Sequence, residues 1–349
     1  MAVSAVNLNE KARINGTTVR LRYLETSVGN SAIDRLMGGG LPVSGVYLID
    51  ERNSRTYSSV LARYFLAEGV YHGHNLFVAS PSRDPSEIVS KLPEKIEENN
   101  EEIAERSTSV DEPIKIAWRY ASVPKVNSSL TNRRSKTQFD LAKTIDNSLL
   151  KSCNISKYPL ESCSRTIAAS YSELWIELRQ VLSLQKHCSL HNATGDSSSL
   201  DRSLLRIFVE DFGSPLWEDS QFALKFLAHI KAALNDRYAV LMLSMNSSAI
   251  DPHLKERIYS YCDVGFVLEA VEDGMASTFG DHFDGYFRII KLPSIPSLGP
   301  HCPESSDLTF ELHRRRFDVK ILHLPPVMDD DVKVDASASL PCHSMLDAF

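Results

Sequence analysis

Hydrophobic and polar positions fall into blocks along this chain, and most blocks read as a strand followed by a helix. Gly29 to Leu36 suits a short helix capped near Ser31 and broken by the glycine triplet at 38–40. Val46 to Ile49 is then a short apolar run, the pattern of a strand buried on both faces. Val60, Leu61, Tyr64 and Phe65 recur at helical spacing within residues 58–68, and Gly69 is placed to end that helix. Asn75 to Ser80 reads as the next strand, closed by Pro81. The rhythm is clearest further on. Leu204 to Val209 is a buried strand ending at Glu210 and Asp211, Phe222, Phe226, Ile230 and Leu234 line one helix face, and Ala239 to Leu243 is another strand. Right-handed crossovers make such strands parallel. Leu254, Ile258 and Tyr261 support a further short helix, and Gly265 to Glu269, Gly285 to Leu292 and Leu308 to His313 read as late strands. Arg314 to Arg316 then interrupts before Ile321 to Pro326. The pattern predicts an α/β fold with a mostly parallel central sheet flanked by helices.

Between these blocks the chain turns polar. Residues 1–27 form an N-terminal arm, 28–328 one domain, and 329–349 an acidic flexible tail that includes Asp329, Asp330 and Asp331. Polar insertions interrupt the domain near 94–113, 124–136 and 186–203. In the first, Glu94, Glu97, Glu98, Glu101, Glu102 and Glu105 crowd together, which suits a solvated helix or loop, with an acidic surface for a basic partner as the alternative. Ile114 to Tyr120 reads as a strand running into a loop, and Leu174, Trp175, Leu178, Val181 and Leu182 mark an amphipathic helix.

Composition narrows the classes. With 349 residues, 43% of them apolar, the chain can bury a large core. A formal charge of -7 argues against binding nucleic acid through bulk charge, so any RNA contact needs a local basic patch. Lys125, Arg133, Arg134 and Lys136 form one such patch and Arg314, Arg315 and Arg316 another, though either suits a solvated loop. The six cysteines form no C-x-x-C pair, which fits free thiols in a reducing compartment. His187, Cys188 and His191 lack the second ligand pair of a structural metal site. No basic leader precedes an apolar core at the start, and no apolar run approaches the roughly 20 residues of a membrane span. These features place the chain in the cytoplasm, with the nucleus as a second compartment.

The candidate chemistry lies between the first strand and its helix. A nucleotide-binding P-loop reads G-x-x-x-x-G-K-[ST], because glycines let backbone N–H groups wrap the phosphates and the lysine balances their charge. Here the chain reads Glu51-Arg52-Asn53-Ser54-Arg55-Thr56-Tyr57-Ser58-Ser59, with neither glycine nor lysine. A helix N-terminus still attracts anions, by roughly 0.3–1 kcal/mol for the dipole. Arg52, Arg55, Ser58 and Ser59 are therefore the candidates for a weakened nucleotide site, and a vestigial loop kept for folding is the competing reading. Glu210 and Asp211 follow a buried strand, as an acid that holds Mg²⁺ does in ATPases.

Four segments carry a resemblance. Gly38-Gly39-Gly40-Leu41-Pro42 with Tyr64-Phe65-Leu66-Ala67-Glu68-Gly69, then Ile116-Ala117-Trp118-Arg119-Tyr120, then Gly213-Ser214-Pro215-Leu216-Trp217, and finally Arg315-Arg316-Phe317 with Leu322-His323-Leu324-Pro325-Pro326 occur in order. Together they resemble the PAXNEB family of Elongator subunits over about residues 28–328. The resemblance implies a RecA-like P-loop ATPase fold with a degenerate Walker A loop. It also implies a place in a hetero-hexameric ring in which three related subunits, numbered 4, 5 and 6, alternate. That ring binds tRNA and hydrolyses ATP as an accessory part of Elongator, which modifies carbon 5 of the wobble uridine, while the catalytic chemistry resides in another subunit. Expected partners are Elongator subunits 5 and 6, the remaining Elongator subunits and tRNA. No cofactor is expected to be tightly bound, with ATP and Mg²⁺ confined to ring interfaces. On this basis Arg288 or Lys291, on a late strand facing the neighbour, would complete a partner's site as an arginine finger does. Arg314, Arg315 and Arg316, or the loop at Asn246 and Ser247, would meet tRNA. Two rival readings remain: a stand-alone RecA-like ATPase, against which the missing glycines and lysine count, and a pure scaffold that touches neither tRNA nor nucleotide.

Overall fold

The computed structural model describes residues 14–20, 23–54, 56–96, 138–158, 170–188, 202–217, 220–271, 283–295 and 299–322. The expected strand Ile114 to Tyr120, the basic stretch 124–136, the glutamates from 97 to 105, His191 and the acidic tail lie outside these residues.

The chain opens with β1 (Thr17–Arg20), β2 (Tyr23–Thr26), α1 (Ser31–Leu36) and β3 (Leu41–Pro42), whose strands pair as a small antiparallel sheet. Asn30, rather than Ser31, caps α1, its side-chain oxygen accepting the N–H groups of Ala32 and Ile33. The main body follows as β4 (Val46–Arg52), α2 (Tyr57–Tyr71), β5 (Asn75–Ala79), α3 (Pro85–Ser90), β6 (Pro93–Lys95), β7 (Phe139–Thr144), α4 (Asn147–Ser152) and β8 (Ile155–Tyr158). Next come α5 (Tyr171–Leu182), β9 (Leu205–Val209), α6 (Ser220–Leu234), β10 (Ala239–Met245), α7 (Pro252–Tyr261) and β11 (Val264–Ala270). The last strands are β12 (Gly285–Lys291), β13 (Ser294–Ile295), β14 (Gly299–Pro300), β15 (Leu308–Leu312) and β16 (Phe317–Ile321).

Nine strands form one sheet in the order β16-β15-β12-β11-β4-β10-β9-β5-β8. From β11 to β8 every neighbouring pair is parallel, and β12, β15 and β16 are appended antiparallel. This is the RecA-like α/β arrangement expected from the sequence. After β4 the chain moves out to β5 and β8, returns through β9 and β10, and then crosses past β4 to β11. The carboxyl end of β4 is therefore a switch point, where open α/β sheets form their ligand crevice.

Alternation along the strands builds two cores. Tyr47, Ile49, Leu76, Val78, Phe208, Val240 and Met242 face α1, α2 and the small sheet, while Val46, Leu48, Phe77, Ile207, Leu241 and Leu243 face α5, α6 and α7. Eleven of the fifteen residues of α2 are buried, so the helix is enclosed nearly all round rather than amphipathic. In α6 the inward face is Ala223, Phe226, Leu227, Ile230 and Leu234. Phe222, expected there, is 39% exposed and lies beneath the Lys225 ammonium.

Gly69 does not end α2, as its position in the sequence suggested. It is buried inside the helix, where an added Cβ would come within 2.8 Å of both Arg206 Cδ and Leu76 Cδ2. The stop is Gly73, at φ +68°, with Gly73 N–H on Val70 O at 3.1 Å and His74 N–H on Gly69 O at 2.9 Å. Small size is required at the first glycine and left-handed backbone at the second. A second departure is β16, which begins at Phe317, directly after the arginines and ahead of the expected Ile321.

Candidate functional site

At the carboxyl end of β4, Asn53 takes a left-handed turn (φ 63°) that steers the chain toward α2. Thr56, in the N-cap position, makes no capping hydrogen bond with its side chain. Glu51 caps the helix instead. Its side chain is buried, and its carboxylate accepts Tyr57 N–H at 3.0 Å, Ser58 N–H at 2.8 Å and Ser58 Oγ–H at 2.5 Å. These N–H groups and this hydroxyl are the kind that a P-loop turns toward a phosphate. Here a carboxylate belonging to the same loop occupies them, so Ser58 points at Glu51 rather than at an open crevice.

Beside this cap lies a second set of contacts. Ser80, at the end of β5, donates to Glu210 Oε2 at 2.5 Å, and Arg83 grips the same carboxylate through Nε at 3.1 Å and through Nη2. Arg83 Nη2 also donates to Ser59 Oγ at 3.1 Å. The structure thus brings together Ser59 on α2 and Glu210 beyond β9, with Arg83 as the bridge between them. Asp211, the other candidate acid, sits at φ 50° with its N–H on Ser244 Oγ at 3.2 Å.

Arg52 turns away from α2. Its Nε lies 3.2 Å from Ser247 Oγ and 3.4 Å from Asp50 Oδ2. Asp50 is fully buried and also accepts Ser247 N–H at 2.8 Å and Tyr259 Oη–H at 2.5 Å, fastening β4 to the turn after β10 and to α7. Ser247 is therefore held within the fold, and Asn246 caps the short turn that follows it. Arg55 lies outside the described residues.

Arg288 and Lys291 are three positions apart on β12, but a bulge at Ile290 pairs them with Val267 and Gly265, two apart on β11, so both stand on the same face. Arg288 is largely exposed and pairs with Glu269 Oε2 at 2.8 Å, whereas Lys291 Nζ caps the end of α7 at the carbonyls of Ser260 and Cys262. The arginine triplet forms the turn between β15 and β16. Arg316 Nε pairs with Asp318 at 2.7 Å and Arg315 Nε approaches Asp140 at 3.9 Å, leaving Arg314 as the residue of the three with no ion-pair partner among the described residues. His187 is a core histidine, its ring bonded to Asn75 and to Ser203 O, and the described residues hold no cluster of potential metal ligands.

Sequence reasoning missed Glu51 as a cap, and it missed Arg83, Ser80 and Arg63. For the first, the available signal was an acid at the end of a buried strand a few residues before a helix that lacks its own cap. For Arg83 it was the polar turn Ser80-Pro81-Ser82-Arg83 closing a buried strand at the switch-point edge. Arg63 lies on α2 one turn beyond Ser59, and burial lowers the pKa of its guanidinium, with Tyr64 opposing that effect and the like charge of Arg83 adding to it.

The PAXNEB protein family matches residues 14–345. Elongator complex protein 4 of Homo sapiens is 30% identical over 348 residues, covering 93% of this chain and 82% of its own length. The Danio rerio protein of the same name is 30% identical over 347 residues, covering 93% of this chain and 87% of its own. Among solved structures, the flagellar accessory protein FlaH from Methanocaldococcus jannaschii aligns over 88% of this chain and 100% of its own, at 12% identity and a TM-score of 0.44. Among the described residues no helix is long and apolar enough to cross a membrane.

Proposed function

The chain belongs to the PAXNEB family, and on that premise we propose that it is a non-catalytic subunit of Elongator. Its place is a RecA-like hetero-hexameric ring with Elongator subunits 5 and 6, which binds tRNA and supports 5-carboxymethyl-type modification of the wobble uridine. The observation that carries the non-catalytic part is the Glu51 carboxylate seated on the N-terminus of α2. A triphosphate entering there would meet a buried like charge, lose the N–H donors already in use, and find no lysine in the loop. The bond between Glu210 and Arg83 supports the same reading, since that carboxylate is committed to a guanidinium rather than left open for Mg²⁺. ATP and Mg²⁺ then act at ring interfaces, no cofactor is held tightly by this chain, and the working compartment is the cytoplasm, with the nucleus as a second site.

The test has two parts. Tagged chain recovered from its own cells should bring down Elongator subunits 5 and 6 with the remaining Elongator subunits, and the isolated chain should show no ATP turnover above background. Brisk hydrolysis by the single chain, or recovery without those partners, would overturn the proposal.

A further inference from the structure

At the head of α2, the N-cap Thr56 with Ser59 and Arg63, spaced at three and four residues, form a stripe on a single helical face that reaches solvent. Ser59 and Arg83 are in contact at 3.1 Å, and Arg63 is one turn further along. Among the described residues Arg63 has no ion-pair partner, and its Nε is shielded from water with no acceptor. Every other described arginine around β4 and α2 has acceptors: Arg52 has Asp50 and Ser247, Arg83 has Glu210 and Ser59, and Arg206 has four. A shielded, unsatisfied N–H on a charged group is costly, and native proteins rarely leave one without a reason.

We propose that Arg63, Arg83 and Ser59 form a receptor for a phosphate group. Three donors are on offer: the Arg63 guanidinium, the Arg83 Nη1 that Glu210 and Ser59 leave unused, and the Ser59 hydroxyl, whose oxygen accepts from Arg83 while its own proton has no acceptor among the described residues. A carboxylate presents two oxygens in one plane and is satisfied by one guanidinium fork, as Glu210 is by Arg83. A tetrahedral phosphate presents oxygens in several directions and suits donors from two guanidiniums and a hydroxyl. Formal charges agree: Arg63 and Arg83 against Glu210 sum to +1, which one phosphodiester neutralises. The position also fits, because Arg83 follows the carboxyl end of β5 and Glu210 that of β9, on the edge where open α/β sheets form their ligand crevice.

Glu51 closes the neighbouring helix terminus, and it is on that reading that the receptor becomes a separate seat rather than part of a triphosphate site. The phosphate has two possible sources, the backbone of an RNA strand or a nucleotide. Full-length chain would be titrated with inorganic phosphate, with ATP and with a short single-stranded RNA, comparing wild type with Arg63→Met, Arg63→Lys and Lys225→Ala, an exposed base on α6 across the sheet from α2. At least one probe is expected to bind about tenfold or more weakly to Arg63→Met, with partial recovery in Arg63→Lys and no change in Lys225→Ala. An effect confined to RNA identifies the strand as the source, and an effect on ATP or phosphate identifies a nucleotide. Equal binding of all three probes by wild type and Arg63→Met, with both folded by thermal melting, overturns the receptor. So does an equal loss in Lys225→Ala. ATP turnover by the wild-type chain is scored separately, so that the receptor and the closed-site reading fail on different readouts.

Discussion

Arg206 and Arg63 pack along the same helix under opposite terms. Arg206 reaches α2 from β9, is fully buried, and donates to His74 Nδ1 at 3.0 Å, Ser27 O at 2.9 Å, Phe65 O at 3.0 Å and Thr26 Oγ1 at 2.7 Å. Arg63 belongs to α2, is half-buried, and has a shielded Nε with no acceptor among the described residues. Burial pulls the Arg206 guanidinium down to about 10, with the carboxylates of Glu68 and Asp34 opposing it. The comparison teaches that burial of a charge does not by itself mark a functional site. A charge whose every nitrogen donates joins parts of the fold, here the N-terminal strands, α2 and the central sheet. A charge left with an idle donor is set up to meet something else.

The comparison breaks first at Arg206. Replacing it with methionine keeps volume but strands the acceptors on Thr26, Ser27, Phe65 and His74 beside the buried Glu68 and the half-buried Asp34, so urea denaturation should show a loss of about 3–5 kcal/mol. A loss under about 1 kcal/mol would mean that Arg206 joins nothing. Next in size is the pH dependence around it. Burial chiefly raises Asp34 from 3.8 to about 7, so the stability it lends is complete below its ordinary value and is lost as pH rises through about 7. Burial chiefly lowers His74 from 6.5 to about 3, with the charge of Arg206 adding, so its contribution is complete above 6.5 and is lost as pH falls toward 3. Between the two ordinary values these slopes oppose. Asp34→Asn should leave His74 unopposed, adding to the same-sign slope of the core His187, which burial also lowers to about 4, so that stability rises with pH by up to about 1.4 kcal/mol per unit for each histidine across that window, where wild type is flatter. Denaturation midpoints measured in steps of pH decide it, and parallel curves for the two proteins would remove the coupling. The smallest effect belongs to Arg63→Met, which should leave thermal stability within about 0.5 kcal/mol of wild type or raise it. A large loss there would make both arginines structural and erase the contrast.

The sequence made the frame readable because each strand announces itself locally. β4, β5, β9 and β10 are apolar runs a few residues long, and their parallel pairing follows from the intervening helical patterns. Arg206 sat unnoticed inside one such run, since nothing nearby in sequence says that Thr26, Ser27 and Phe65 will surround it. Gly69 was read as a stop because glycine has two uses, and only the approach of Arg206 and Leu76 decides which applies. The site was legible as a location, the end of β4, but its occupancy was not. Glu51 lies seven residues from Ser58 and the pair was within reach, whereas Arg83 and Glu210 are 127 apart and meet only through the order of β5 and β9 in the sheet.

Glu51 is attached to the loop it closes, so it rebinds after every opening without diffusing, and dissolved anions meet a competitor that never leaves. On the closed-site proposal, the head of α2 is insulated from swings in cellular nucleotide supply: its shape is written into the polypeptide rather than set by how well fed the cell is.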